Sequence, residues 1–203
     1  MKLHWALALL ALVCAAALPL SAGSASVCDA QAGNLVANCG FETGDFTGWT
    51  WGGNTGATGV TSGAFYAYGG ANSGSYYAFL GPVGSDGILS QTLTTNPGDT
   101  YTVSFYLDAV GDGSSDFSAL WNTNVLMSVG TPNTGDVWTQ YLFTVTGTGS
   151  DTIQLNFRDD PAYIALDDIV VLDAGTAIPE PGSLGLLISG LAVVILARRR
   201  RRA

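Results

Sequence analysis

The chain has 203 residues, of which 47% are hydrophobic and 11% are charged, and its formal net charge is −9. Between positions 27 and 176, Arg158 is the only basic residue, whereas every acidic residue of the chain except Glu180 lies there. Such a surface repels phosphate backbones, which excludes nucleic acid as a partner. It is compatible with divalent cations and neutral polymers, but the acidity could also serve solubility alone.

The first 26 residues have the pattern of a secretory signal peptide. Lys2 precedes an apolar stretch over residues 5–20, and small residues follow it. This pattern predicts export, with cleavage near Ser24 or Ser26. The segment 1–26 is therefore expected to be absent from the mature protein.

Cys28 and Cys39 are the cysteines that remain once Cys14 leaves with the signal peptide. In an oxidising compartment, two cysteines at this separation predict one disulfide that closes a short N-terminal loop. A loop of that size stabilises a fold by roughly 2–3 kcal/mol. The spacing is not Cys-x-x-Cys, so we expect a structural bond rather than redox catalysis.

The segment 27–176 shows apolar residues with a period of two and no sustained period of 3.6. The alternation is clearest over residues 101–108, 137–145 and 152–158, which predicts half-buried strands. Turn signals rich in glycine, proline and asparagine separate these segments. Shorter candidate strands are residues 34–38, 46–51, 64–68, 76–80, 88–94, 117–121, 125–129 and 163–172. About ten short strands predict an all-β domain, an antiparallel β-sandwich of the jelly-roll type.

The C-terminal segment 177–203 has three parts. It begins with Pro179, Glu180 and Pro181, which cannot continue a helix or a sheet ladder. An apolar run over residues 184–197 follows, and it can enter hydrocarbon. The chain then carries the five consecutive arginines Arg198, Arg199, Arg200, Arg201 and Arg202, which are expected to stay cytoplasmic.

We therefore predict a transmembrane helix over about residues 183–197, with the β-sandwich outside the membrane. The apolar run is shorter than the roughly 20 residues of a full span, so a core helix is the alternative. A buried helix rarely ends in five like charges, which favours the membrane.

The order and spacing of these three parts resemble the PEP-CTERM sorting signal, also called the ice-binding protein C-terminal domain. The resemblance implies that an exosortase processes the tail. It also implies an inner-membrane-anchored precursor that is then moved to the cell surface or the extracellular matrix.

Two motifs near the borders of the predicted sandwich carry a second resemblance. They are NLVANCGFETGDFTGW at residues 34–49 and YIALDDIVV at residues 163–171. They resemble the galactose-binding-like jelly rolls, which include calcium-containing carbohydrate-binding modules of glycanases. In such folds the first and last strands lie close together, so the resemblance implies that the two motifs meet.

The same resemblance implies a structural calcium ion and no other cofactor. Glu42 and one of Asp167 or Asp168 would supply carboxylates, and backbone carbonyls would complete the oxygen shell that calcium prefers. The alternative is that Asp168 accepts hydrogen bonds from the backbone of the turn at residues 41–45.

Catalysis is not expected. The only histidine, His4, leaves with the signal peptide, which removes serine–histidine and cysteine–histidine nucleophiles and histidine-ligated zinc. A carboxylate pair for glycoside hydrolysis is the less favoured alternative. The doublets at residues 159–160 and 167–168 are the candidates, but adjacent strand residues point to opposite faces.

Binding of extracellular polysaccharide is the favoured function. Planar amides, a guanidinium and aromatic rings on a sheet face are suited to sugar hydroxyls and pyranose faces. The candidate sugar-binding residues are Tyr106, Asp108, Trp121, Asn156 and Arg158. The alternatives are that the tryptophans belong to the core and that the polar rows are ordinary solvent faces. A structural or adhesive surface protein without a sugar site is therefore the second hypothesis.

Overall fold

A computed structural model describes residues 25–111 and 113–175. The predicted sorting motif, the apolar run and the arginine tail lie outside the described residues, as does nearly all of the predicted signal peptide. Within the described range, no helix has the length and hydropathy to cross a membrane.

The described chain forms an all-β sandwich of two five-stranded antiparallel sheets, as the alternation predicted. The strands are β1 Thr50–Gly53, β2 Thr58–Ser62, β3 Tyr76–Leu80, β4 Gly87–Thr94, β5 Thr100–Ala109, β6 Asp116–Trp121, β7 Asn124–Gly130, β8 Thr139–Thr146, β9 Ser150–Arg158 and β10 Ile164–Asp173. The first sheet has the order β1-β4-β9-β6-β7, and the second has the order β2-β3-β10-β5-β8. Strands β3 to β10 have the strand order of a jelly roll, to which β1 and β2 add one edge strand each.

The core lies between the two sheets. Because side chains alternate along a strand, every second residue of each strand points into it. On β9, Ile153, Leu155 and Phe157 are all fully buried, and the residues between them are only half-buried. On β5, the inward residues Val103, Phe105 and Leu107 are likewise fully buried. Alternation therefore identifies the inward face of both central strands correctly.

The two border motifs meet, as their resemblance to jelly rolls implied. Asn34 and Leu35 lie along β10, where the Leu35 amide donates to the Val171 carbonyl at 3.0 Å. β3 pairs only with residues 164–166 of β10. Leu35 therefore bonds to a part of β10 that β3 does not reach. The predicted disulfide between Cys28 and Cys39 is present, with a Cα–Cα distance of 6.1 Å.

Four predicted segments need correction. Residues 34–38 form no strand, because the Ala37 amide and carbonyl bond to the Gln91 side chain rather than to a neighbouring strand. Residues 64–68 form a turn closed by two hydrogen bonds between Phe65 and Tyr68. The strand predicted over 46–51 begins only at Thr50, and the segment predicted from 137 begins at Thr139.

Strand β2 was not predicted. Its sequence TGVTS has a single apolar residue, Val60, so it shows no alternation. Pairing with β3 creates this strand, and Gly59 makes room for the Phe79 ring directly opposite. A Cβ at Gly59 would lie 2.7 Å from Phe79 Cζ.

Candidate functional site

The five predicted sugar-binding residues do not form one site. Tyr106 and Asp108 lie on β5 of the second sheet, whereas Asn156 and Arg158 lie on β9 of the first sheet. The core separates these faces. Trp121 belongs to the core itself, with 2% of its surface exposed, and its indole Nε1 donates to the Thr146 carbonyl at 3.2 Å.

Asp108 is not available to a ligand. It is 4% exposed, and its Oδ1 accepts a hydrogen bond from the Thr134 hydroxyl at 2.9 Å. Burial raises the pKa of this carboxyl. Asp108 pairs with Ala165, which belongs to a small apolar cluster with Tyr68 and Tyr77 on the outer side of the second sheet. The alternation placed Asp108 outward correctly, but it could not show that a loop covers it.

Asn156 and Arg158 lie on the outer face of the first sheet and bind their neighbours. The Arg158 guanidinium forms an ion pair with Asp116 at 2.9 Å. Asn156 accepts a hydrogen bond from Gln154 at 2.8 Å and donates to Ser118 at 3.2 Å. These partners hold the polar row together on a face away from Tyr106.

Tyr106 lies in a groove of about 230 Å³ on the outer face of the second sheet. Its neighbours come from three adjacent strands, β8, β5 and β10, and from the N-terminal segment. The groove is lined by Val27, Gln31, Thr102, Ser104, Tyr106, Gln140, Leu142, Asp168, Val170 and Leu172. It combines one aromatic ring, two amides and several hydroxyls with apolar walls, so it offers both hydrogen-bonding groups and an apolar surface to a ligand.

Most of these groove residues were missed by sequence reasoning, although β8 carried a signal. Leu142 is 65% exposed in the middle of a strand, and it alternates with core-facing Tyr141 and Phe143. A single exposed apolar residue is common on protein surfaces, so Leu142 indicates a binding surface only together with the groove that it lines. Gln140 shares that row with Leu142 and borders Tyr106 through the pairing of β5 with β8.

A β-bulge in β10 shapes one end of the groove. The register between β10 and β5 shifts between Asp167 and Val170, and Asp168 has a φ of 50°. Because of the bulge, both Asp167 and Asp168 contact the loop residues Asn72 and Ser73. The expectation that adjacent carboxylates point to opposite faces is therefore wrong for this doublet.

The three predicted calcium ligands surround one loop, residues 72–76. Asp167 accepts the Asn72 amide at 2.9 Å, and Asp168 accepts the Asn72 side-chain amide at 2.7 Å. Glu42 accepts the amides of Ser75 and Tyr76 at 2.9 and 3.0 Å. The donors of Asp168 thus come from this loop and from the Cys28 amide, not from the turn at residues 41–45.

The oxygen donors suit calcium in kind, although the three carboxylates do not converge on one point. Within the described range, the one group of three acidic, cysteine or histidine ligand atoms within 4.8 Å is Cys28, Asp29 and Cys39, and its cysteines are joined to each other. Asp167 is fully buried, and burial together with the adjacent Asp168 raises its pKa to about 8. A cation there would need backbone carbonyls, as the resemblance implied.

A second residue missed by sequence reasoning is Asp151, which is fully buried at one end of the sandwich. Its carboxylate accepts hydrogen bonds from the Thr95 hydroxyl, the Asn122 side chain, and both the amide and hydroxyl of Thr148. These partners come from three different turns. Asp151 is therefore a structural centre at the end of the fold, away from the groove.

No family model matches the chain, and no curated protein matches it. The tail's resemblance to the PEP-CTERM signal thus stays a prediction.

Several solved structures share the fold. TmCBM61 in complex with β-1,4-galactotriose has a TM-score of 0.56 at 22% identity, covering 69% of this chain and 98% of that one. The Stig cyclase Fisc from Fischerella sp. TAU has a TM-score of 0.52 at 19% identity, covering 68% and 95%. The active domain of tailspike protein 4 of bacteriophage CBA120 has a TM-score of 0.50 at 18% identity, covering 69% and 21%. The chain is thus structurally similar to a carbohydrate-binding module, and the same fold also serves a cyclase.

Proposed function

We propose that this protein is an exported, noncatalytic surface protein that binds a neutral extracellular polysaccharide in the Tyr106 groove. The groove itself supports this proposal most strongly, because Tyr106 shares it with the side-chain amides of Gln140 and Gln31. A sugar ring can stack on the tyrosine while amides and hydroxyls pair with its hydroxyl groups. The similarity in fold to TmCBM61 supports this use of the sandwich.

The charge of the domain favours a neutral polymer over an acidic one. Asp168 lies at the end of the groove, and the other acidic residues give the surface a negative potential. Anionic sugars would be repelled from such a surface. Neutral hydroxyl-rich chains would not be.

A binding panel tests the proposal directly. The full chain, kept in a detergent without a sugar headgroup, is titrated calorimetrically with β-1,4-galactotriose, xylohexaose, cellohexaose and mannohexaose. We expect saturable binding to at least one of them. Binding to none would contradict the proposal and favour the structural or adhesive alternative.

We also propose a structural calcium ion held by Glu42 and one of Asp167 or Asp168, together with backbone carbonyls. Calcium would fix the loop at residues 72–76 and so support the end of the groove, with no role in catalysis. We expect calcium to raise the melting temperature of the full chain and EDTA to lower it, whereas magnesium has little effect. An identical melting temperature in calcium and in EDTA would contradict a bound ion.

We further propose that the C-terminal segment 177–203 is a sorting signal. The proline-flanked Glu180, the apolar run and the arginine block support processing by an exosortase-type enzyme at the membrane. The mass of the C-terminal peptide from protein isolated from its native cells tests this. We expect a C-terminus between residues 179 and 182, and an intact arginine tail would instead indicate a simple membrane anchor.

A further inference from the structure

A second cleft lies at the edge of the sandwich, where β1 of the first sheet faces β2 of the second. Its volume is about 470 Å³. The cleft is lined by Gly44, Asp45, Phe46, Thr47, Trp51, Gly59 and Val60. It shares no residue with the Tyr106 groove, and β3 and β10 separate β2 from β5 in the second sheet.

Trp51 forms an aromatic wall of this edge cleft. It pairs with the fully buried Leu89, yet 40% of its surface is exposed because β1 is an edge strand. Phe46 packs against it with ring centroids 5.0 Å apart, and Phe41 packs edge-on against Phe46 at 5.7 Å. The exposed tryptophan is therefore held in place by a row of rings that leads into the core.

Asp45 gives the rim of the cleft a charged acceptor. Its Oδ1 accepts hydrogen bonds from the Thr47 amide at 2.9 Å and from the Thr43 hydroxyl at 2.8 Å. Hydrogen bonds from the side chain and the backbone of Thr47, and then from Thr43, lower the pKa of Asp45. Asp45 is exposed, so its carboxylate also remains accessible to a ligand hydroxyl.

Two residues of the lining, Gly44 and Gly59, contribute backbone only. The side chains that line the cleft are therefore those of Asp45, Phe46, Thr47, Trp51 and Val60. They place an acid and a hydroxyl beside three apolar groups.

We propose that this edge cleft binds one pyranose ring of a neutral glycan as a second sugar site. The inference rests on the proposed function and extends it. A pyranose places its C–H face on the Trp51 ring, and one of its hydroxyls donates to the Asp45 carboxylate. An apolar peptide would cover the carboxylate without offering it a further donor, and an acidic sugar would be repelled by it. The aromatic and acidic groups together therefore fit a neutral hydroxyl-bearing ring.

The test uses the four oligosaccharides of the binding panel. In amide and indole N–H spectra of the full chain, we expect a ligand that binds in the Tyr106 groove to shift the Trp51 indole signal as well. In Trp51→Ala, the shifts of the amides that line the edge cleft should disappear, and the affinity of the cleft for the sugar should fall at least tenfold. Binding in the Tyr106 groove should persist. Asp45→Asn should weaken binding in the edge cleft several-fold, and it keeps the aromatic packing if Trp51→Ala proves unstable.

Tyr66→Ala is the matched control, because Tyr66 is 54% exposed and lies outside both clefts. If an oligosaccharide binds in the groove and leaves the Trp51 signal unmoved, the second site is wrong and the proposed function stands. If none of the four oligosaccharides shifts the signals of the groove or of the edge cleft, both the second site and the proposed function are wrong.

Discussion

Replacing Asp151 with alanine should lower the free energy of unfolding by about 3–4 kcal/mol, because several buried donors would lose their acceptor at once. The Thr148 amide and hydroxyl lie 2.8 and 2.7 Å from the carboxylate, and the Asn122 side-chain amide lies 2.6 Å from it. The Thr95 hydroxyl donates to the same group and also accepts the Gly149 amide at 3.0 Å. The three turns that meet at Asp151 are expected to loosen together.

The stability that Asp151 contributes should decrease as the pH falls. Burial alone would raise the pKa of Asp151, but hydrogen bonds from Thr95, Thr148 and Asn122 outweigh it and lower the pKa to about 2. A depressed pKa contributes stability above the unfolded value near 3.8, and the contribution is lost as pH falls towards 2. Linkage makes this contribution about 2 kcal/mol, so the gap between wild type and Asp151→Ala should narrow between pH 4 and pH 2.

Chemical denaturation of the full chain at several pH values measures both effects. Asp99→Ala is the matched control, because Asp99 is an exposed acid at the same end of the sandwich. We expect that control to change stability by less than about 0.5 kcal/mol. A loss for Asp151→Ala no larger than that of the control would show that the carboxylate does not hold the turns together.

Replacing Tyr106 with alanine should weaken binding of the preferred oligosaccharide at least tenfold, about 1.4 kcal/mol or more. Tyr106 is half-buried in the groove, at a position opposite Gln140 and Asp167 on the neighbouring strands. Removing the ring therefore removes the stacking surface and widens the groove. Tyr106→Phe retains the ring and should lose only the hydroxyl contribution, so its affinity should lie between those of wild type and alanine.

Titration calorimetry of the full chain compares these variants with Tyr66→Ala, which removes an exposed tyrosine elsewhere. Melting temperatures of all three variants separate loss of binding from loss of folding. If Tyr106→Ala keeps wild-type affinity while remaining folded, the sugar does not use this groove.

The strands and the core were largely predictable, because a period of two has a direct structural meaning. Residues such as Phe105 and Leu155 alternate with polar neighbours, and both are fully buried as expected. The disulfide could be predicted because only two cysteines, Cys28 and Cys39, lie beyond the predicted signal peptide. Strand β2 could not be predicted, because it owes its conformation to pairing with β3 rather than to its own sequence.

The site was only partly predictable. Alternation separates inward from outward residues on one strand, but it cannot show which outward rows share a face. For that reason Tyr106 and Arg158 were grouped although they lie on different sheets. The bulge after Asp167 and the loop covering Asp108 depend on tertiary contacts that a local pattern does not contain.

The most direct test of the central claim is a residue-resolved map of amide shifts in the full chain as a neutral oligosaccharide of the panel is added. We predict that the largest shifts centre on Thr102, Tyr106, Gln140 and Val170, on the outer face of the second sheet. Shifts centred instead on Asn156 and Arg158 of the first sheet, or no shifts with any of the four sugars, would contradict the account.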